Sequence, residues 1–163
     1  MDISAFSALV FLPFVLPLCV YVTFSDMRDM RIPNQIVVAL FLVFAGAGLF
    51  ALPFDAYLWR YVHLIIVLVA GIALNAGGAM GAGDAKFAAA AAPFIHVGDL
   101  RLLMALFAAN ILAAFLAHRL AKHTPLRKIA PHWKSWSHPK FPMGMALGGT
   151  LALYLCLGAW FGR

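Results

Sequence analysis

Apolar residues in this chain come in long blocks rather than in alternation, and short polar connections separate the blocks. A helix needs about 20 mostly apolar residues to cross a hydrocarbon layer. Runs of that kind lie at about 4–24, 35–53, 58–76, 99–120 and 143–161. A further run, Ala85 to Val97, contains "FAAAAAPFIHV", too apolar to leave in water. Its 13 residues make roughly 20 Å of helix, short of a core about 30 Å thick. The pattern predicts an all-α, polytopic integral membrane protein with six transmembrane helices. The fourth (85–97) is short, and the glycine-rich stretch before it, "GGAMGAGD", is expected to dip into the membrane. Irregular backbone at that depth is tolerated only where protein or a water-filled cavity surrounds it. Asp84 is then expected at a helix N-terminus, where the dipole favours a carboxylate and the side chain can cap free N–H groups.

Composition agrees with this reading and narrows it. Hydrophobic residues make up 64% of the chain and charged residues 11%, with a mean hydropathy of +0.93, which excludes an ordinary water-soluble domain. With 163 residues the spans leave no room for much else, so one membrane-embedded domain over 1–163 is expected, without a separate soluble domain. The N-terminus, "MDISAFSALVFLPFVLPLCVYVTF", carries an acid before a run long enough to cross, and reads as a retained span rather than a cleaved signal peptide. Cys19 and Cys156 sit in apolar runs without C-x-x-C spacing, so no disulfide framework, metal site or cofactor is expected.

The net charge of +6 and the pI near 9.8 would invite a nucleic-acid reading in a soluble protein. Here the basic residues gather in membrane connections, so no nucleic-acid partner is expected and the charge reports topology. Arg28, Arg31, Lys86, Arg119, Lys122, Arg127, Lys128, Lys134 and Lys140 fall on one side; Arg60, Arg101 and Arg163 fall on the other. This bias puts the first, third and fifth connections in the cytoplasm and both termini outside. The fifth connection, "HRLAKHTPLRKIAPHWKSWSHPKFP", reads as a basic interfacial loop with Trp133 and Trp136 as an aromatic anchor and membrane lipid as its partner. His63 and His96 read as hydrogen-bonded structural residues.

All six acidic residues are aspartates. Asp2, Asp55 and Asp99 lie at the outer ends of spans and read as solvated loop charges. Asp26 and Asp84 stand apart, because the charge count puts both on the cytoplasmic face although 58 positions separate them. An ionisable residue in such surroundings is a functional candidate. Two carboxylates held close cannot both ionise easily, so one keeps a proton. The ionised partner can then take a proton from water while its neighbour donates to a carbonyl oxygen.

The first connection "SDMRDMRIPN" and the later "GAGDAK" together resemble the type IV prepilin peptidases, bacterial G-x-G-D aspartyl proteases of the membrane. The tail "FPMGMALGG" at 141–149 is similar to the start of that family's last span. The resemblance implies Asp26 and Asp84 as catalytic aspartates, Gly81 and Gly83 as the motif's glycines in the active-site loop, and Lys86 as its lysine; Asp29 falls outside the motif. It further implies an inner-membrane endopeptidase that removes the basic leader from prepilins or pseudopilins with an apolar helix, cutting after a glycine at the cytoplasmic face. The paired cysteines of the larger members are missing, so the chain looks like the short branch of Flp-type tight-adherence pili, without methyl transfer. Two rivals accompany this reading. A small ion- or proton-coupled transporter would need midplane aspartates and an internal repeat, and a noncatalytic subunit of a pilus or secretion machine would not need both motifs intact.

Overall fold

Ser4 starts the first helix: its hydroxyl oxygen accepts the Ser7 N–H at 3.0 Å, satisfying a donor that no preceding turn can reach. That helix, α1, runs Ala5–Asp29 and stops at Met30, which takes the left-handed conformation at φ 55°. The computed structural model describes residues 1–163, the side chain of Leu126 excepted. After α1 come α2 (Asn34–Ala51), α3 (Phe54–Ala76), α4 (Ala82–Ala91), α5 (Leu100–His123) and α6 (Met143–Phe161), with no strand among the described residues. Five helical stretches are long and apolar enough to cross a membrane: α1, α2, α3, Val97–His123 and α6. The chain is an all-helical membrane protein. Large apolar side chains such as Phe50, Val69, Leu120 and Trp160 point outward, as they do where lipid replaces water.

The fourth segment differs from expectation at both ends. Its α-helix has 10 residues, or about 15 Å, and starts at Ala82 rather than Ala85. Pro93 then lies in a 3₁₀ turn, Ala92–Phe94, and Ile95 is extended. The helix therefore falls well short of a crossing and is not among the long apolar stretches. What it has instead is burial: Ala85, Phe87 and Ala89 to Ala92 are almost wholly covered. Alanines permit this close fit; a Cβ on Gly71 of α3 would stand 2.9 Å from the Ala85 Cβ.

The most extensive pairing is α1 against α6. Gly148 lies against α1 so closely that an added Cβ would meet the Cys19 carbonyl oxygen at 2.8 Å, and one on Gly158 would meet Ile3 at 2.9 Å. Small residues let helix backbones approach where no hydrophobic force drives them together. Behind this seam Phe11, Phe44 and Phe94 form a buried aromatic core with ring centroids 4.9 to 6.0 Å apart. Cys19 packs in the same core.

Asp99, read from sequence as a solvated loop charge, is held differently, and Arg60 and Lys134 also find partners in the fold. Asp99 is not solvated: it is 4% exposed and accepts the Asp2 N–H at 2.7 Å, the Ile3 N–H at 2.9 Å and the Tyr154 hydroxyl at 2.8 Å. It ties the start of the chain to the beginning of α5 and to Tyr154 of α6. Arg60 is also buried and donates to the carbonyls of Pro93 and Ile95, bracing the corner after α4. Lys134 lies 3.9 Å from Asp29, joining the fifth connection to α1.

Candidate active site

Asp26 is in the last turn of α1, because that helix continues past its apolar run to Asp29. It is 5% exposed, and its Oδ2 accepts the Gly144 N–H at 2.6 Å. Gly144 belongs to the first turn of α6, whose leading N–H groups have no partner within the helix and whose dipole favours negative charge there. The close approach requires glycine: an added Cβ would stand 2.7 Å from the Asp26 Cβ.

Asp84 reaches the same place from α4. The helix N-cap is Gly81, so Asp84 is not the capping residue expected from sequence but lies three residues later, in the first turn. From there its carboxyl turns back toward the Gly81 N–H, the reciprocal half of a capping box. Gly81 leaves the space for this, since a Cβ there would meet the Asp84 Oδ2 at 2.5 Å. Burial and the nearby charge of Asp26 push the Asp84 carboxyl from 3.8 up to about 6, against the opposing pull of the Gly81 N–H.

Two cavities meet at the aspartates. One, of about 320 Å³, has Asp26, Asp84, Gly81, Gly83, Asn34 and Lys86 in its wall. The other, of about 570 Å³, adds Met80, Phe107, His138 and Lys140. Gly83 lies against Ile32, which an added Cβ would approach to 3.3 Å. Lys86 shares the smaller cavity's wall with Asp84, but a spacing of two on a helix keeps the two from facing each other directly, and its Nζ donates to the Asn34 Oδ1 at 3.2 Å. It thereby links α4 to the start of α2. Asp29 lines neither cavity and pairs with Arg28 at 2.8 Å.

A larger cavity, about 870 Å³, lies at the other end of α1, beside Ser7, Arg60, His63 and His96. It contains neither Asp26 nor Asp84, and size alone does not mark chemistry. The His96 Nδ1 accepts the Gly98 N–H at 3.1 Å, and this imidazole serves as a turn cap. Among the described residues no group of three or more His, Cys, Asp or Glu side chains stands ready to hold a metal ion.

Sequence reasoning did not pick out Gly144 or His138. A backbone N–H carries no side-chain signature, and only the helix pairing brings it to Asp26. The tryptophans of the fifth connection also turn inward rather than to lipid. Trp136 is 4% exposed and stacks on His118 at 5.2 Å and on Trp133 at 5.7 Å, which in turn meets Phe24 of α1 at 5.5 Å.

Two acids from distant parts of the chain that line one cavity can divide a proton between them and activate water. A profile of the type IV leader peptidase family matches residues 13–118, a stretch that contains both acids and ends before α6. No curated protein and no solved structure matches the chain. With the match spanning well over half of its 163 residues, the chain belongs to the type IV leader peptidase family and is a membrane peptidase.

Proposed function

We propose that the protein is an aspartic endopeptidase whose catalytic pair is Asp26 and Asp84, and that it removes the leader peptide from Flp-type prepilins and pseudopilins at the cytoplasmic face of the inner membrane. The observation that carries this reading is the shared cavity: residues 58 positions apart converge there, each beside a glycine that admits its carboxyl.

The surroundings divide the roles. The Gly144 N–H at the start of α6 gives Asp26 a donor that a carboxylate accepts, and we assign Asp26 as the ionised member of the pair. Asp84, raised to about 6, is the partner that keeps the proton. Water held between them gives a proton to Asp26 as its oxygen bonds to the scissile carbonyl carbon, while Asp84 protonates the carbonyl oxygen. When the tetrahedral intermediate collapses, the C–N bond breaks and the proton on Asp26 passes to the departing amine. The second carboxyl takes back the hydroxyl proton as the new acid forms, which restores the pair. The glycine loop, with Gly78 at φ 73°, gives the backbone freedom to admit an extended leader.

The experiment is co-reconstitution with candidate prepilins, with leader removal read by gel shift and the cut located by mass spectrometry. The proposal expects a single cut after a glycine, lost in Asp26→Asn and in Asp84→Asn and kept in Asp29→Asn. A cut that persists undiminished in either of the first two variants removes the mechanism. Orientation is tested separately by modification of single cysteines: both termini are expected to react from outside and position 82 from the cytoplasm.

A further inference from the structure

The end of α5 and the connection after it form a basic pocket that the peptidase reading does not use. It holds about 280 Å³ and is lined by Arg119, Lys122 and Lys140 together with His118 and His138, without one carboxylate in its wall. The ion pairs among the described residues are Arg28 with Asp29 and Lys134 with Asp29, so none of these three cations has an acidic partner. Its walls are built. The Arg119 guanidinium stands over the Phe115 ring at 5.6 Å, and Phe141 closes the other side, 5.9 Å from both the Phe115 and His118 rings. His118 is 7% exposed, fixed by its stack on Trp136, and its Nε2 has no hydrogen-bond partner.

A solvated basic face would spread its charges apart and leave no buried imidazole nitrogen without a partner. Here the charges converge on a hollow at the end of a membrane-length helix, the depth at which lipid headgroups lie. We propose that this pocket binds the phosphate of an anionic phospholipid headgroup. A guanidinium can grip two phosphate oxygens at once and a lysine adds a point charge, while Phe115 and Phe141 meet the first acyl carbons. His138 and Lys140 also line the Asp26–Asp84 cavity, so a bound headgroup holds the fifth connection in place over the aspartates.

The test uses the full chain in neutral detergent, with native mass spectrometry reading retained lipid when phosphatidylglycerol or phosphatidylcholine is added. One phosphatidylglycerol should be retained in preference to phosphatidylcholine. Arg119→Gln with Lys122→Gln should weaken that retention by roughly tenfold or more. Arg127→Gln with Lys128→Gln removes the same charge from the adjoining connection, outside the pocket, and should change it by no more than about twofold. Arg119→Lys with Lys122→Arg keeps both charges and should retain the lipid, which separates lost binding from lost folding. Equal losses in the two neutralised pairs, or no preference for the anionic lipid, would overturn the proposal. Displacement of the lipid by an equal concentration of inorganic phosphate would assign the pocket to free phosphate instead. Binding is the only readout, so the result stands apart from whether the chain cleaves prepilins.

Discussion

Asp26 and Asp84 are the same side chain in two environments, and the proposed mechanism assigns them different work on that ground. Asp26 is buried and Asp84 half-buried, and each faces a backbone N–H, Gly144 at 2.6 Å for Asp26 and Gly81 for Asp84, but burial together with the charge of Asp26 lifts Asp84 to about 6. A carboxyl with a raised pKa is protonated below that value and loses its proton above it. If Asp84 supplies the proton, kcat/KM must fall as pH rises through about 6, a limb that pH–rate measurements on the reconstituted enzyme will show. Replacing Asp26 by Asn removes the charge but not the burial, so Asp84 should then titrate below about 6, read from its carboxylic-acid infrared band. Gly144→Ala forces the Asp26 carboxyl aside and should slow cleavage by roughly tenfold to hundredfold, an effect of misplacement on turnover rather than on substrate affinity. The two aspartates were legible in sequence because each lies in a motif and the charge count puts both on one face. Their donors were not, since the Gly144 N–H becomes a partner only when α6 docks on α1.

At the scale of elements, α1 and α6 form the hinge of the account, because their seam sets the distance from Asp26 to its donor. Gly148→Leu would press on the Cys19 carbonyl and the Val22 side chain, both 2.8 Å from an added Cβ. Overpacking of that kind costs about 1–3 kcal/mol, and it should appear as earlier thermal unfolding in detergent together with slower cleavage. The helices themselves were legible in outline: the last apolar run, 143–161, coincides with α6 to the residue. The fourth was not, since hydropathy averages over a window and cannot see that Pro93 ends the helix or that Gly81 moves its start forward. The first helix outran its apolar run because Ser25 and Asp26 near its end find partners within the protein, the Arg31 carbonyl and the Gly144 N–H. Asp99 was misread as solvated for a related reason; its partner Tyr154 lies 55 positions along the chain.

The whole molecule brings an acid near the beginning, an acid at its middle and a backbone donor near its end to one cavity. The family match reaches only residue 118, yet the environment of Asp26 is completed by α6, so the unmatched last part of the chain belongs to the same working unit. A pair that shares one proton acts as a unit, and losing either member disables it. The most direct test therefore compares residual prepilin cleavage in Asp26→Asn, Asp84→Asn and the double variant under single-turnover conditions. Each single variant should fall as far as the double. Losses that multiply, or a single variant that still cleaves at the unmodified rate, would contradict it.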